Sequence, residues 1–179
     1  MGDDTLQVIS ATSHQDQSPL VVITYQDNHW ELTVPDARER AEGIFQACAT
    51  AESEANIFTA LHLGAKGFAA KQSDTAIATL RLLRKKRSPL IEGIDAILSL
   101  KSQQPIVVFN WYGGLQFETE SARHHARLLL ECAEAAETDG FMRYFFQKEF
   151  DVTLEETQSL INKFAVFRQR NQLESLFNA

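Results

Sequence analysis

The sequence predicts an α+β protein: an antiparallel sheet with helices on one face, built from two tandem ββαα repeats joined by a connector helix. Three observations carry this reading. Ile106-Val107-Val108-Phe109 is a dense apolar run, too short to span a membrane and of strand length. A cap-like Thr119 and Ser121 follow it, opening a long pattern of helical periodicity. The chain also matches itself when shifted by 85 positions. Val21-Val22-Ile23 then falls on Ile106-Val107-Val108, Ala37-Arg38 on Ala122-Arg123, and Ala41 on Ala126. Glu52-Ser53-Glu54 falls on Glu137-Thr138-Asp139. Reducing the shift to 84 aligns a further helix, with Ile77 on Ile161, Leu80 on Phe164, Leu83 on Phe167 and Arg84 on Arg168. Identities are few; apolar positions, cap position and segment order agree together.

Taken in order, residues 1–18 read as a flexible polar segment holding one short edge strand at Leu6–Ile9. Residues 19–87 form the first repeat. Its hairpin pairs Leu20–Tyr25 with His29–Val34 across Gln26-Asp27-Asn28, and Pro35-Asp36 starts a helix that Gly64 ends. A second helix opens at Ser73 or Asp74 and turns Ile77, Leu80 and Leu83 inward. Residues 88–104 are expected as the connector helix, with Ser88-Pro89 at its start and Ile91, Ile94, Ile97 and Leu98 as its stripe. Residues 105–179 form the second repeat. Gly113-Gly114 is expected to close its hairpin as a two-residue turn, and Asp139-Gly140 to bend or break its long helix. Thr153-x-x-Glu156 is a capping box for a last helix with Leu160, Ile161, Phe164 and Phe167 inside, fraying from Gln172. All of this is expected to fold as one compact domain.

Composition limits the function. The 179 residues carry a formal net charge of −7, which argues against a general nucleic-acid coat or a membrane-surface protein. No apolar run reaches the length of a membrane span, and the acidic start Met1-Gly2-Asp3-Asp4 has no secretory h-region. Cys48 and Cys132 form no ligand pair and sit on apolar stripes, as small buried thiols do. A cytoplasmic location is expected.

Catalytic patterns are lacking. No G-x-S-x-G, S-x-x-K, phosphate loop or H-x-x-x-H occurs, and the adjacent His124 and His125 point about 100° apart on a helix. The sequence therefore leans against an enzyme and implies no cofactor or resident metal. The acidic triplets recur at matching points, and either meet at a pseudo-twofold axis around a divalent cation or mark a common turn.

Two features point to binding. Arg81, Arg84, Lys85, Lys86 and Arg87 make a basic helix end in an acidic chain, echoed by Arg168 and Arg170. Such ends grip phosphates or an acidic protein surface, or serve only the helix dipole and last carbonyls. Trp111-Tyr112 beside Gly113-Gly114 reads either as an exposed interface anchor or as core folded over the sheet. The expected function is non-enzymatic: binding of a partner protein or of a second copy, in a regulatory or adaptor role. Nucleic-acid or phosphate-ligand binding through the paired basic ends is the alternative.

Overall fold

The computed structural model describes residues 6–13, 15–64, 70–87, 90–99 and 102–177. Among the described residues it is α+β, with two three-stranded antiparallel sheets and four α-helices rather than the single sheet expected. The first half runs β1 (Gln7–Thr12), β2 (Pro19–Tyr25), β3 (Asn28–Thr33), α1 (Val34–Gly64) and α2 (Ala70–Arg87). The second runs β4 (Ile94–Leu98), β5 (Pro105–Phe109), β6 (Leu115–Glu118), α3 (Thr119–Glu149) and α4 (Leu154–Phe177). The order βββαα thus occurs twice, not ββαα.

The expected connector helix is corrected by β4. Ile94, Ile97 and Leu98 fit a helical stripe, but burial alternates along Ile94, Asp95, Ala96 as in a strand. Gly93, at φ +86°, interrupts the chain just before it, and β-branched Ile94 and Ile97 suit the pleat. β4 pairs with β5 from Ile94 opposite Phe109 to Leu98 opposite Pro105. The Ser88-Pro89 cap lies outside the described residues.

β1 likewise extends the short strand at the N-terminal side to Thr12 and pairs with β2 as far as Pro19. The turn between them is built from its own side chains. Ser13 Oγ accepts from the backbone N–H groups of Gln15 and Asp16, and Asp16 Oδ1 accepts from Ser18 N–H and Oγ. The Ser13 and Ser18 donors hold the Asp16 carboxyl down at about 2.

Three further expectations change in detail. Gly113 and Gly114 both adopt positive φ, but they end a five-residue loop that begins with a 3-10 turn at Asn110–Tyr112, so the hairpin is not a two-residue one. α3 passes unbroken through Asp139-Gly140, and α4 continues past Gln172 to Phe177. Its capping box forms as expected, with Thr153 Oγ1 accepting from Glu156 N–H and the Glu156 carboxylate accepting from Thr153 N–H.

The core sits between α1 and α3. Ala37, Ala41, Ile44, Cys48 and Ala51 alternate steps of four and three, as do Ala122, Ala126, Leu129, Ala133 and Ala136, and all are buried. That spacing keeps a narrow seam facing one partner helix, and its alanines permit close approach. The helices run antiparallel, because Arg38 pairs with Glu137 while Arg123 pairs with Glu52. Each long helix then covers mainly the sheet of the other half: α1 lies on β4 and β5, α3 on β1 and β2. One apolar cluster therefore joins residues of both halves.

Candidate functional site

The acidic triplets and the basic helix ends meet each other. In the first half Glu54, 2% exposed, accepts from Arg81 Nε at 2.8 Å and from Arg84. In the second half Asp139 accepts two hydrogen bonds from Arg168, at 2.8 and 2.6 Å. Each pair ties a second helix to the long helix before it. The outer acids hold the two long helices together instead. Glu52 takes a bidentate grip from Arg123, and Glu137 pairs with Arg38, so both join α1 to α3. Arg123 holds the Glu52 carboxyl below its ordinary value, and Asp139 raises Arg168. The four carboxylates are thus bound by arginines. Among the described residues no group of three or more His, Cys, Asp or Glu is placed to hold a metal ion.

Of the cationic residues singled out from the sequence, Arg81, Arg84 and Arg168 are committed to these pairs. Lys85 and Lys86 are exposed on α2, with no ion-pair partner among the described residues. Arg87 ends α2 and Arg170 lies on α4; their side chains are outside the described set.

Trp111 and Tyr112 do not project together from a hairpin tip. Tyr112 is 3% exposed, packed on Phe109 and Trp30, with its hydroxyl 3.3 Å from His125 Nε2. Burial pushes its phenol up to about 12. Trp111 is half-buried over Gly93, donates from Nε1 to the Glu92 carbonyl at 2.8 Å, and lies beneath the Arg40 guanidinium at 4.6 Å. A Cβ at Gly93 would fall 1.8 Å from that indole nitrogen, so glycine is what lets the ring close down.

Burial also sets the protonation of both cysteines and of His125. Burial raises both Cys48 and Cys132 to about 11, which keeps them as thiols. His125 is lowered to about 4 by burial and by neighbouring His124, which keeps it neutral. Two open clefts occupy matching places in the halves. One, of about 450 Å³, lies between α2 and β4; the other, of about 1060 Å³, lies between α4 and β1.

The feature that sequence reasoning misplaced is the outer face of α2 and α4. Ile77 and Ile161 are buried as expected, but Leu80, Leu83, Phe164 and Phe167 are exposed. The physical reason is the ion pairs. Arg81 and Arg84 must reach Glu54, which fixes the inner line of α2 as Ile77, Arg81, Arg84 and rotates the leucines outward. α4 repeats this with Ile161, Ala165 and Arg168. Leu82 and Val166 share the exposure, so three matching positions on each helix put apolar side chains into solvent, up to 66% exposed. The signal was present: Leu80-x-Leu82-Leu83 and Phe164-x-Val166-Phe167 are apolar over a wider arc than one buried stripe needs. Phe141, Tyr144, Phe145 and Phe150 add a second exposed group near the end of α3, with Phe141 and Phe145 stacked at 5.9 Å.

No helix of the described residues is long and apolar enough to cross a membrane. No protein-family model, curated protein or solved structure matches this chain.

Proposed function

We propose that this protein works without catalysis, by docking a partner protein or a second copy of itself through the outer face of α2 and α4. One observation carries the reading: Leu80, Leu82 and Leu83 on α2, and Phe164, Val166 and Phe167 on α4, are exposed at positions 84 residues apart. A solvated helix gains nothing from three apolar residues on its outer side, and exposed apolar patches of this kind belong to protein contacts. Recurrence on both helices fits descent of the two halves from one βββαα unit. The matched pairs Glu54–Arg84 and Asp139–Arg168 support the same origin.

Free thiols at Cys48 and Cys132 suit the reducing cytoplasm, where the protein is proposed to act. The nucleic-acid alternative draws on exposed Lys85 and Lys86, since Arg81, Arg84 and Arg168 already hold carboxylates.

The test compares the wild-type chain with Leu83→Glu/Phe167→Glu by tagged affinity capture from its own cell extract, and by sedimentation velocity of each purified protein. The reading expects either a stoichiometric companion or concentration-dependent self-association for the wild type, and loss of it in the variant. Equal association of both proteins, or none by either, contradicts it.

A further inference from the structure

Arg143, on α3, is 4% exposed and lines the cleft between β1 and α4. Its guanidinium donates to neutral acceptors only: Thr12 Oγ1 at 3.1 Å, Gln158 Oε1 at 2.8 Å and the Gln17 carbonyl at 3.5 Å. Its Nε is buried without an acceptor, and no carboxylate pairs with it among the described residues. Asp139, one turn earlier, is already bidentate to Arg168. Glu155 at the rim is exposed, so water screens it. A buried cation left with neutral partners is costly, and an anion in the cleft it lines would supply the counter-charge the described residues do not.

The other half shows that the fold does not need this charge. The position 85 residues before Arg143 is Phe58, which is buried with Ile77 and Leu98 as ordinary apolar core. The same place is closed by hydrocarbon in one half and by a guanidinium in the other. The difference falls where the cleft is larger.

We propose that the cleft between β1 and α4 is a carboxylate-binding site, with Arg143 as the counter-charge. One buried uncompensated positive charge suits a singly charged carboxylate better than a dianionic phosphate. Ser10, Ser13, Ser159 and Asn162 line the same space and offer donors to the rest of the ligand. A peptide C-terminus and a small free acid present the same head group. This site is separate from the outer face of α2 and α4, and the inference stands whether or not that face docks a partner.

The experiment uses the full chain and Arg143→Met, with thermal melting and titration by isotope-edited NMR. Three probes are compared: a random tetrapeptide pool with free C-termini, the same pool amidated, and propionate, with inorganic phosphate as a control. Without ligand, Arg143→Met is expected to melt no lower than the wild type. Free-carboxylate peptides or propionate are expected to raise the wild-type melting temperature and shift the Thr12 and Gln158 resonances, with binding weakened about tenfold or more in Arg143→Met. A response to the free peptide pool alone assigns the source to chain ends, and a response to propionate, with or without the peptide pool, assigns it to small acids. A large fall in melting temperature for Arg143→Met overturns the proposal, because Arg143 is then a structural tie. Equal response to the amidated pool, a response to phosphate alone, or none to any probe overturns it too.

Discussion

Replacing Glu54 with leucine should loosen α2 while leaving the rest of the fold intact. The Glu54 carboxylate is buried and takes hydrogen bonds from both Arg81 and Arg84. Removing one partner of a fully buried pair costs about 3–5 kcal/mol. Here the arginine side chains remain 38% and 27% exposed and can turn to water, so the expected loss is smaller, about 1–2 kcal/mol. The loss is local, because the described apolar contacts beneath α2 centre on Ile77 with Phe58 and Leu98. Urea unfolding followed by circular dichroism reads the total, and amide exchange reads its place: residues 70–87 should exchange faster while the α1–α3 seam stays protected. Adding Arg84→Leu to Glu54→Leu should recover part of the loss, since one unpaired cation is then removed. Unchanged stability together with unchanged exchange in α2 would show that Glu54 does not clamp the helix.

Further outcomes follow from individual groups. His125 is ordinarily near 6.5 and sits near 4 in the fold, so the unfolded chain binds the extra proton first. Stability should fall as pH drops from about 6.5 to about 4, by about 3 kcal/mol at most, and His125→Phe should flatten that slope; an unchanged slope in urea titrations across this range refutes the assignment. The two glycines Gly140 and Gly93 should respond in opposite senses. An alanine Cβ at Gly140 meets Pro19 at an ordinary 3.5 Å within α3, so Gly140→Ala should add about 0.5–1 kcal/mol by thermal melting. Gly93→Ala meets Trp111 at 1.8 Å with φ at +86° and should lower stability and increase indole exposure, read by tryptophan fluorescence.

Much of this fold was legible because periodicity is a local property. Ala37, Ala41, Ile44 and Cys48 announce a buried helical face, and the self-match by 85 positions located the second helix of the same kind. Gln7–Thr12 and Ile94–Leu98 were harder. Both strands are short, and the spacing of Ile91, Ile94, Ile97 and Leu98 satisfies a helix as well as a pleat, so only pairing with β5 decides. The way the sheets divide also escaped, since nothing local says that α1 covers the opposite half's strands. The acidic triplets and the basic run were visible as anomalies, but their meaning depended on contacts 27 to 30 residues apart. Once those contacts form, the orientation of α2 and α4 follows, and leucines and phenylalanines expected inside turn out. Arg143 carried no sequence signal of its own; it becomes conspicuous beside its counterpart Phe58.

Hydroxyl-radical footprinting tests the central claim most directly, because it reads side-chain exposure at the residues in question. The protein is labelled alone at low concentration and again with its captured companion or at high concentration. The account predicts protection of Leu82, Leu83, Val166 and Phe167, with Trp111 labelled equally in both states. Protection at Trp111 with α2 and α4 unchanged would contradict it and move the docking surface to the loop after β5.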